Sequence, residues 1–354
     1  MFKLAATLGW AAGEVIQRIV TFHRRRCDAV PDAGRYPEIH EEREILLERY
    51  RGMAEGGMSA ETIALAESTW FWRDYSLPAE ERKSFYRLAT EKKLRERCRI
   101  VYLPHSDKGP LHTKNVDDPL DTWKPQPPTK DPGPWPHSPL FYDGVGSGLH
   151  LDDIPPEIFP VDGIAIASRR ATTIEEATEF LSRYIYFWGG GNLLVHDEKG
   201  NSMAFDKASR CRLAMRKPLA NGVNFINGMG AFDPGIAAFI DGQRAQYLRE
   251  TGQDDQSVEA AYWRLCKGVD RNMARYMNEL ARKPTLENLR AIMDKRDPDG
   301  PMCKSGVPCH PDQRPVEATL QQRLYFLDKK LMWVRQWRAT TPVWEDPWEV
   351  VQYT

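Results

Sequence analysis

The sequence predicts an α+β fold in which antiparallel sheets and helices stack in layers. Three observations carry this. Helical and β-prone segments come in clusters, in the order helices, hairpin, helix, hairpin, helices, hairpin, rather than as a β-α-β series. The β-prone runs are joined by short turn-forming stretches, such as Ser106-Asp107-Lys108-Gly109 and Asp328-Lys329-Lys330. The helical segments between them open on capping residues, with Thr173 and Thr285 the clearest.

Taken in order, the first 97 residues read as helical. Leu4 to Val20 is amphipathic, Glu41 to Tyr50 places Ile45, Leu46 and Leu47 among charges, and Ser59–Trp70 and Pro78–Leu94 follow. At Cys98 the pattern changes. Cys98 to Leu103 is short, apolar and β-prone, and Leu111 to Val116 is its return strand. Residues 118–140 are dense in proline, which removes backbone donors and fixes φ, so an irregular surface excursion is expected there. Gly144–Leu149 and Gly163–Ser168 read as short β-type runs.

Thr173-Ile174-Glu175-Glu176 predicts a capping box, followed by an apolar face of Ala177, Phe180, Leu181 and Tyr184. Asn192–Val195 and Ser202–Phe205 flank a turn and predict a hairpin. Asn221–Asn227 predicts a short strand, Gly242–Arg282 a charged helical stretch, and Thr285 the start of another helix. Ala318–Leu327 with Leu331–Trp337 predicts a long hairpin, and Glu349–Tyr353 a last strand.

The totals exclude some functions. The 354 residues carry 49 Lys and Arg against 50 Asp and Glu, a net charge of -1, so no single-signed field points to nucleic acid or an anionic membrane. No apolar run is long enough to span a bilayer. The six cysteines are scattered, as expected of free thiols in a reducing cytoplasm. Cys303 and Cys309-His310 resemble half a zinc site. With no second close pair, neither metal nor cofactor is expected.

Cys98 is the candidate nucleophile. A cysteine needs a base and a lowered pKa to attack. A free α-amine, which titrates near neutrality, would be such a base if the chain were cut just before it. A buried structural cysteine is the alternative.

The chain resembles the penicillin acyltransferase family (isopenicillin N acyltransferase and its relatives), within the N-terminal-nucleophile hydrolases. The resemblance rests on Cys98-Arg99-Ile100-Val101-Tyr102, the turn at Lys108-Gly109, and Lys114-Asn115-Val116-Asp117. It continues through Thr172–Ser182, Gly190-Gly191-Asn192 with Asp197–Gly200, Val223–Asn227, Thr285–Asp294, Met302-Cys303-Lys304 and the final hairpin through Trp333.

The resemblance implies a four-layer α/β/β/α sandwich of two antiparallel sheets over residues 98–354, with residues 1–97 as a helical pro-segment. It implies self-cleavage before Cys98 and amide hydrolysis or acyl transfer through an acyl-enzyme. Asp117 would orient the new α-amine and Asn227 would donate to the oxyanion. Arg97, Arg99 and Asn115 are the expected substrate contacts, and the substrate a small amide or peptide-like molecule. No nucleic-acid or membrane partner is implied, and self-association stays open. The sequence departs from the family in two places. Arginines flank the cysteine where glycine and Thr or Ser are usual, and Gly228 stands where a histidine is usual. An uncut relative that binds a ligand or does other chemistry in the same cleft is therefore the alternative.

Overall fold

In the computed structural model, residues 11–29, 37–60, 98–120, 125, 138–146, 163–185, 191–209, 212–228, 231–313 and 316–352 are described. The Ser59–Trp70 segment beyond Ala60, the Pro78–Leu94 segment, Arg97 and most of 118–140 lie outside the described residues. The chain begins with helices α1 (Ala12–Ala29) and α2 (Pro37–Glu55). These are followed by strands β1 (Arg99–Ser106), β2 (Gly109–Pro119) and β3 (Leu140–Gly146). Helices α3 (Gly163–Arg170) and α4 (Ile174–Arg183) come next. The chain continues through β4 (Gly191–Asp197), β5 (Ser202–Ser209), β6 (Arg212–Arg216) and β7 (Asn224–Asn227). Helices α5 (Pro234–Glu250), α6 (Val258–Arg282) and α7 (Leu286–Met293) then lead to β8 (Glu317–Phe326), β9 (Leu331–Gln336) and β10 (Glu349–Gln352).

The strands form two antiparallel sheets, one of six strands in the order β10-β9-β8-β2-β1-β7 and one of four in the order β3-β4-β5-β6. Period-two alternation sorts the side chains of β1. Val101 and Leu103 face a helical layer, packing with Met273, Met277 and Leu280 of α6 and Leu289 and Met293 of α7. Ile100 and Tyr102 face the other way and meet Leu194 and Ala204 of the four-stranded sheet. That sheet's outer face buries Leu193, Val195 and Phe205 against Ile166 of α3 and Ala177, Phe180 and Leu181 of α4. The layers are therefore helix, sheet, sheet, helix, and the α+β expectation holds.

Local chemistry accounts for the helix starts. The Thr173 hydroxyl accepts from the Glu176 amide at 3.2 Å while the Glu176 carboxylate takes the Thr172 and Thr173 amides. Ser257 caps α6 through the Ala260 amide, and Thr285 caps α7 through the Asn288 amide, both at 3.2 Å. Arg170–Glu41 and Arg183–Glu38 pairs, at 2.9 and 3.0 Å, tie α3 and α4 to α2.

Two expectations are corrected. Gly163–Ser168 is not a β run but most of helix α3. A six-residue apolar stretch fits either element, and here burial of Ile166 and Ala167 against α4 and the sheet selects the helix. Strand β2 also continues through Asp118 and Pro119, so the excursion starts later than its composition suggests. Pro119 is the last paired residue, where a missing N–H is tolerated. No helix among the described residues is long and apolar enough to cross a membrane.

Candidate active site

Cys98 immediately precedes β1, which lies between β2 and β7. Its half-buried side chain packs on the cluster of Ile100, Tyr102, Leu194, Ala204 and Ile226, so the thiol lies on the face that looks toward the second sheet. Its φ is 60°, in the left-handed region, which costs a non-glycine residue on the order of 1–2 kcal/mol. The backbone amide of Asp117 donates to the sulfur.

Two charged groups share this space. Lys114 pairs in register with Ile100 and so projects from β2 on the same face as Cys98. Asp143 arrives from β3 of the opposite sheet. The Lys114 ammonium donates to Asp143 Oδ1 at 2.5 Å and to the Gly144 carbonyl at 3.2 Å. The other oxygen, Oδ2, lies 3.0 Å from His112 Nε2, and His112 Nδ1 lies 3.1 Å from His196 Nε2. The His196 ring stacks on Tyr102 with centroids 3.9 Å apart and an interplanar angle of 6°. Lys114, Asp143, His112 and His196 thus form a chain of polar contacts crossing the interface between the sheets.

The electrostatics follow from this packing. Burial pushes the Cys98 thiol up, the Lys114 charge and the Asp117 amide pull it down, and the Asp117 and Asp143 carboxylates push it up again, so on balance the thiol is raised above its ordinary value. Burial works against the Lys114 charge as well, but Asp143 and the thiol more than offset it, and its pKa is raised. Burial also opposes ionisation of Asp143, yet Lys114 and His112 hold that carboxyl down at about 2. Burial, then His112, drives His196 well below the ordinary imidazole value, so it is neutral. Near the thiol stand a committed cation and a carboxylate of very low basicity, and neither is suited to take a thiol proton.

The residues singled out from the sequence divide between the two faces. Arg99, Asn115 and Asp117 lie on the helix-facing side. Arg99 pairs with Asp117 Oδ2, and the Thr319 hydroxyl donates to Asp117 Oδ1 at 2.6 Å. A bulge makes this possible. Leu320 is the extra residue in β8 between the pairs Val116↔Gln321 and Asp117↔Thr319, and it turns Thr319 onto the Asp117 side. The Asn115 amide donates to the Met293 and Met302 carbonyls at 3.2 and 2.7 Å. Asn227 lies opposite Arg99 in register. Its amide donates to Asp270 of α6, and its side-chain oxygen accepts from the Gly228 amide at 2.6 Å. Asn192 braces it from the second sheet, donating to the Asn227 carbonyl at 2.7 Å. The Asp117 carboxylate and the Asn227 carboxamide therefore lie on the side of the sheet away from the thiol.

Sequence reasoning passed over Lys114 as a site group, and also His112, Asp143 and His196. The alternation His112, Lys114 on the inner face of the return strand was the signal available for two of them. Asp143 and His196 have no such local signal. Among the described residues no group of three or more His, Cys, Asp or Glu side chains is placed to hold a metal. A cavity of about 740 Å³ is walled by Tyr276, Asp294, Lys295, Arg296, Asp297 and Cys309 among others, with no residue of β1 or β2 in its lining.

No family model and no curated protein matches the chain. Among solved structures it is similar to two variants of conjugated bile acid hydrolase from Clostridium perfringens. The identities are 11% and 12% and the TM-scores 0.31 and 0.26. The matches cover 74% and 73% of this chain, and 92% and 89% of those chains. Similarity this weak carries nothing about chemistry, which has to rest on the residues themselves.

Proposed function

We propose that the chain is a cysteine-dependent amide hydrolase or acyltransferase of the N-terminal-nucleophile type, acting through Cys98 on a small amide or peptide-like substrate. The observation that carries this reading is the position of the thiol. It stands at the head of β1, in a left-handed backbone, half-buried between two sheets, with the Asp117 backbone amide donating to it and the Lys114 charge acting on it. A structural cysteine needs none of these features.

The chemistry follows. The Cys98 sulfur attacks the substrate carbonyl as its proton passes to a base. The C–N bond breaks, the amine leaves with a proton, and a thioester remains. Water or a second amine then takes the acyl group. With Lys114 and Asp143 unsuited as bases, the proton acceptor in this reading is the α-amine of Cys98, freed by cleavage before it. Residues 1–97 are then a pro-segment and 98–354 the catalytic chain. Lys114, with an N–H beyond those given to Asp143 and Gly144, is the donor placed to stabilise the developing oxyanion.

One observation favours a second reading, an uncut relative that binds a ligand or does other chemistry in the same cleft. The Asp117 carboxylate is taken by Arg99 and Thr319, and the Asn227 amide by Asp270, so both are committed elsewhere. Intact mass and iodoacetamide labelling of purified protein separate the two. The first reading expects two fragments, 1–97 and 98–354, with label on Cys98. One full-length species with Cys98 unlabelled at every pH sinks it.

A further inference from the structure

The chain of contacts between the sheets is more elaborate than a buried ion pair requires. We infer that Asp143 and His112 are positioning residues that hold the Lys114 ammonium against the Cys98 thiol from across the sheet interface. This rests on Cys98 being the reactive thiol.

Geometry carries the inference. Lysine is a point charge on a flexible stem, and left alone it would spread over many rotamers. Here Asp143 Oδ1 and the Gly144 carbonyl, both from β3, hold it. Asp143 is itself fixed by its second oxygen. An ionised carboxylate only accepts, so His112 Nε2 is the donor to Oδ2, and its Nδ1 meets His196 Nε2. Neither imidazole is free to turn. His112 is packed against Phe141 and Tyr325, with ring centroids 4.6 and 5.6 Å away. His196 lies stacked between Tyr102 and Phe141. The contacts run in the order His196, His112, Asp143, Lys114, on the face of the sheet that carries the thiol.

The alternative is that Asp143 acts on the thiol by its own charge, and the two roles predict opposite signs. A bare carboxylate near a thiol raises its pKa, so removing it would make Cys98 more reactive. A carboxylate that holds a cation in place lowers the thiol pKa indirectly, so removing it would make Cys98 less reactive.

The test is the pH profile of iodoacetamide alkylation at Cys98, read by mass spectrometry, in protein purified from expression of the whole 354-residue sequence, cut or uncut. The variants are Asp143→Ala, Asp143→Asn, Lys114→Met and the Asp143→Ala/Lys114→Met double. Asp143→Ala is expected to move the midpoint up by about one pH unit, a ~10-fold slower alkylation at fixed pH below it. Lys114→Met is expected to do the same, and adding Asp143→Ala to it to give no further rise. If circular dichroism shows Asp143→Ala unfolded, the near-isosteric Asp143→Asn decides, with a smaller rise expected. A midpoint that falls or stays put in the Asp143 variants overturns the inference. An equal further rise in the Lys114→Met background overturns it too. Wild-type protein unlabelled at Cys98 at any pH overturns the nucleophile reading and this inference with it. A labelled wild type with an unmoved Asp143 profile overturns this inference alone.

Discussion

Lys114 and Asp143 sit in different sheets, and their charged ends meet at 2.5 Å beside the Cys98 thiol. The contact joins the hairpin that begins at Cys98 to the neighbouring sheet.

Replacing the thiol tests the chemistry directly. Cys98→Ser is expected to cut amide hydrolysis by at least ~10³-fold and abolish iodoacetamide labelling at that position, since a serine hydroxyl there has no comparable acidity. The melting temperature should change little. A retained rate removes Cys98 from the reaction.

The buried Arg99–Asp117 pair predicts an asymmetric mutational response. Asp117→Ala leaves a guanidinium buried without its carboxylate, and should cost about 3–5 kcal/mol in urea unfolding. The double variant Arg99→Met/Asp117→Leu should recover most of that loss. Additive losses in the double variant would show that the pair is not a coupled unit.

His196 predicts sensitivity to mild acid. Its folded pKa lies below the unfolded value of about 6.5, so its contribution is full above pH 6.5 and is lost as pH falls below it. The melting temperature should therefore drop between pH 7 and 5. His196→Phe, which keeps a flat ring between Tyr102 and Phe141, should flatten that drop. An unchanged pH slope in the variant would assign the acid sensitivity elsewhere.

Asp143 predicts a second loss at lower pH. Its carboxyl is held at about 2 in the fold against an ordinary value of 3.8, so its contribution is full above about pH 4 and is lost as pH falls toward 2. Asp143→Asn should remove this acid limb from a plot of unfolding free energy against pH. Persistence of the limb would mean that other carboxylates produce it.

The α4 cap gives a local check. Thr173→Ala should cost ~1 kcal/mol, because the Glu176 amide loses its acceptor and the capping box opens.

Much of this protein was legible from residues alone, wherever the cause is local. The Thr173 box, the start of a helix at Thr285, and the hairpins through Gly109, Asn201 and Lys330 depend on neighbours a few residues away, and such neighbours are visible in a sequence. The position of Cys98 at the head of a strand was legible for the same reason. Tertiary structure decided what depends on contact across layers. Gly163–Arg170 became a helix because its apolar residues had a helix and a sheet to pack on. Thr319 faced Asp117 because β8 carries an extra residue. Asp143 reached Lys114, 29 residues away in sequence, because two sheets stack face to face. The sequence by itself determined the α+β elements and the strand that presents the thiol. Only the stacking of the sheets decided which charges stand beside it, because Coulomb interactions depend on distance in space and not along the chain.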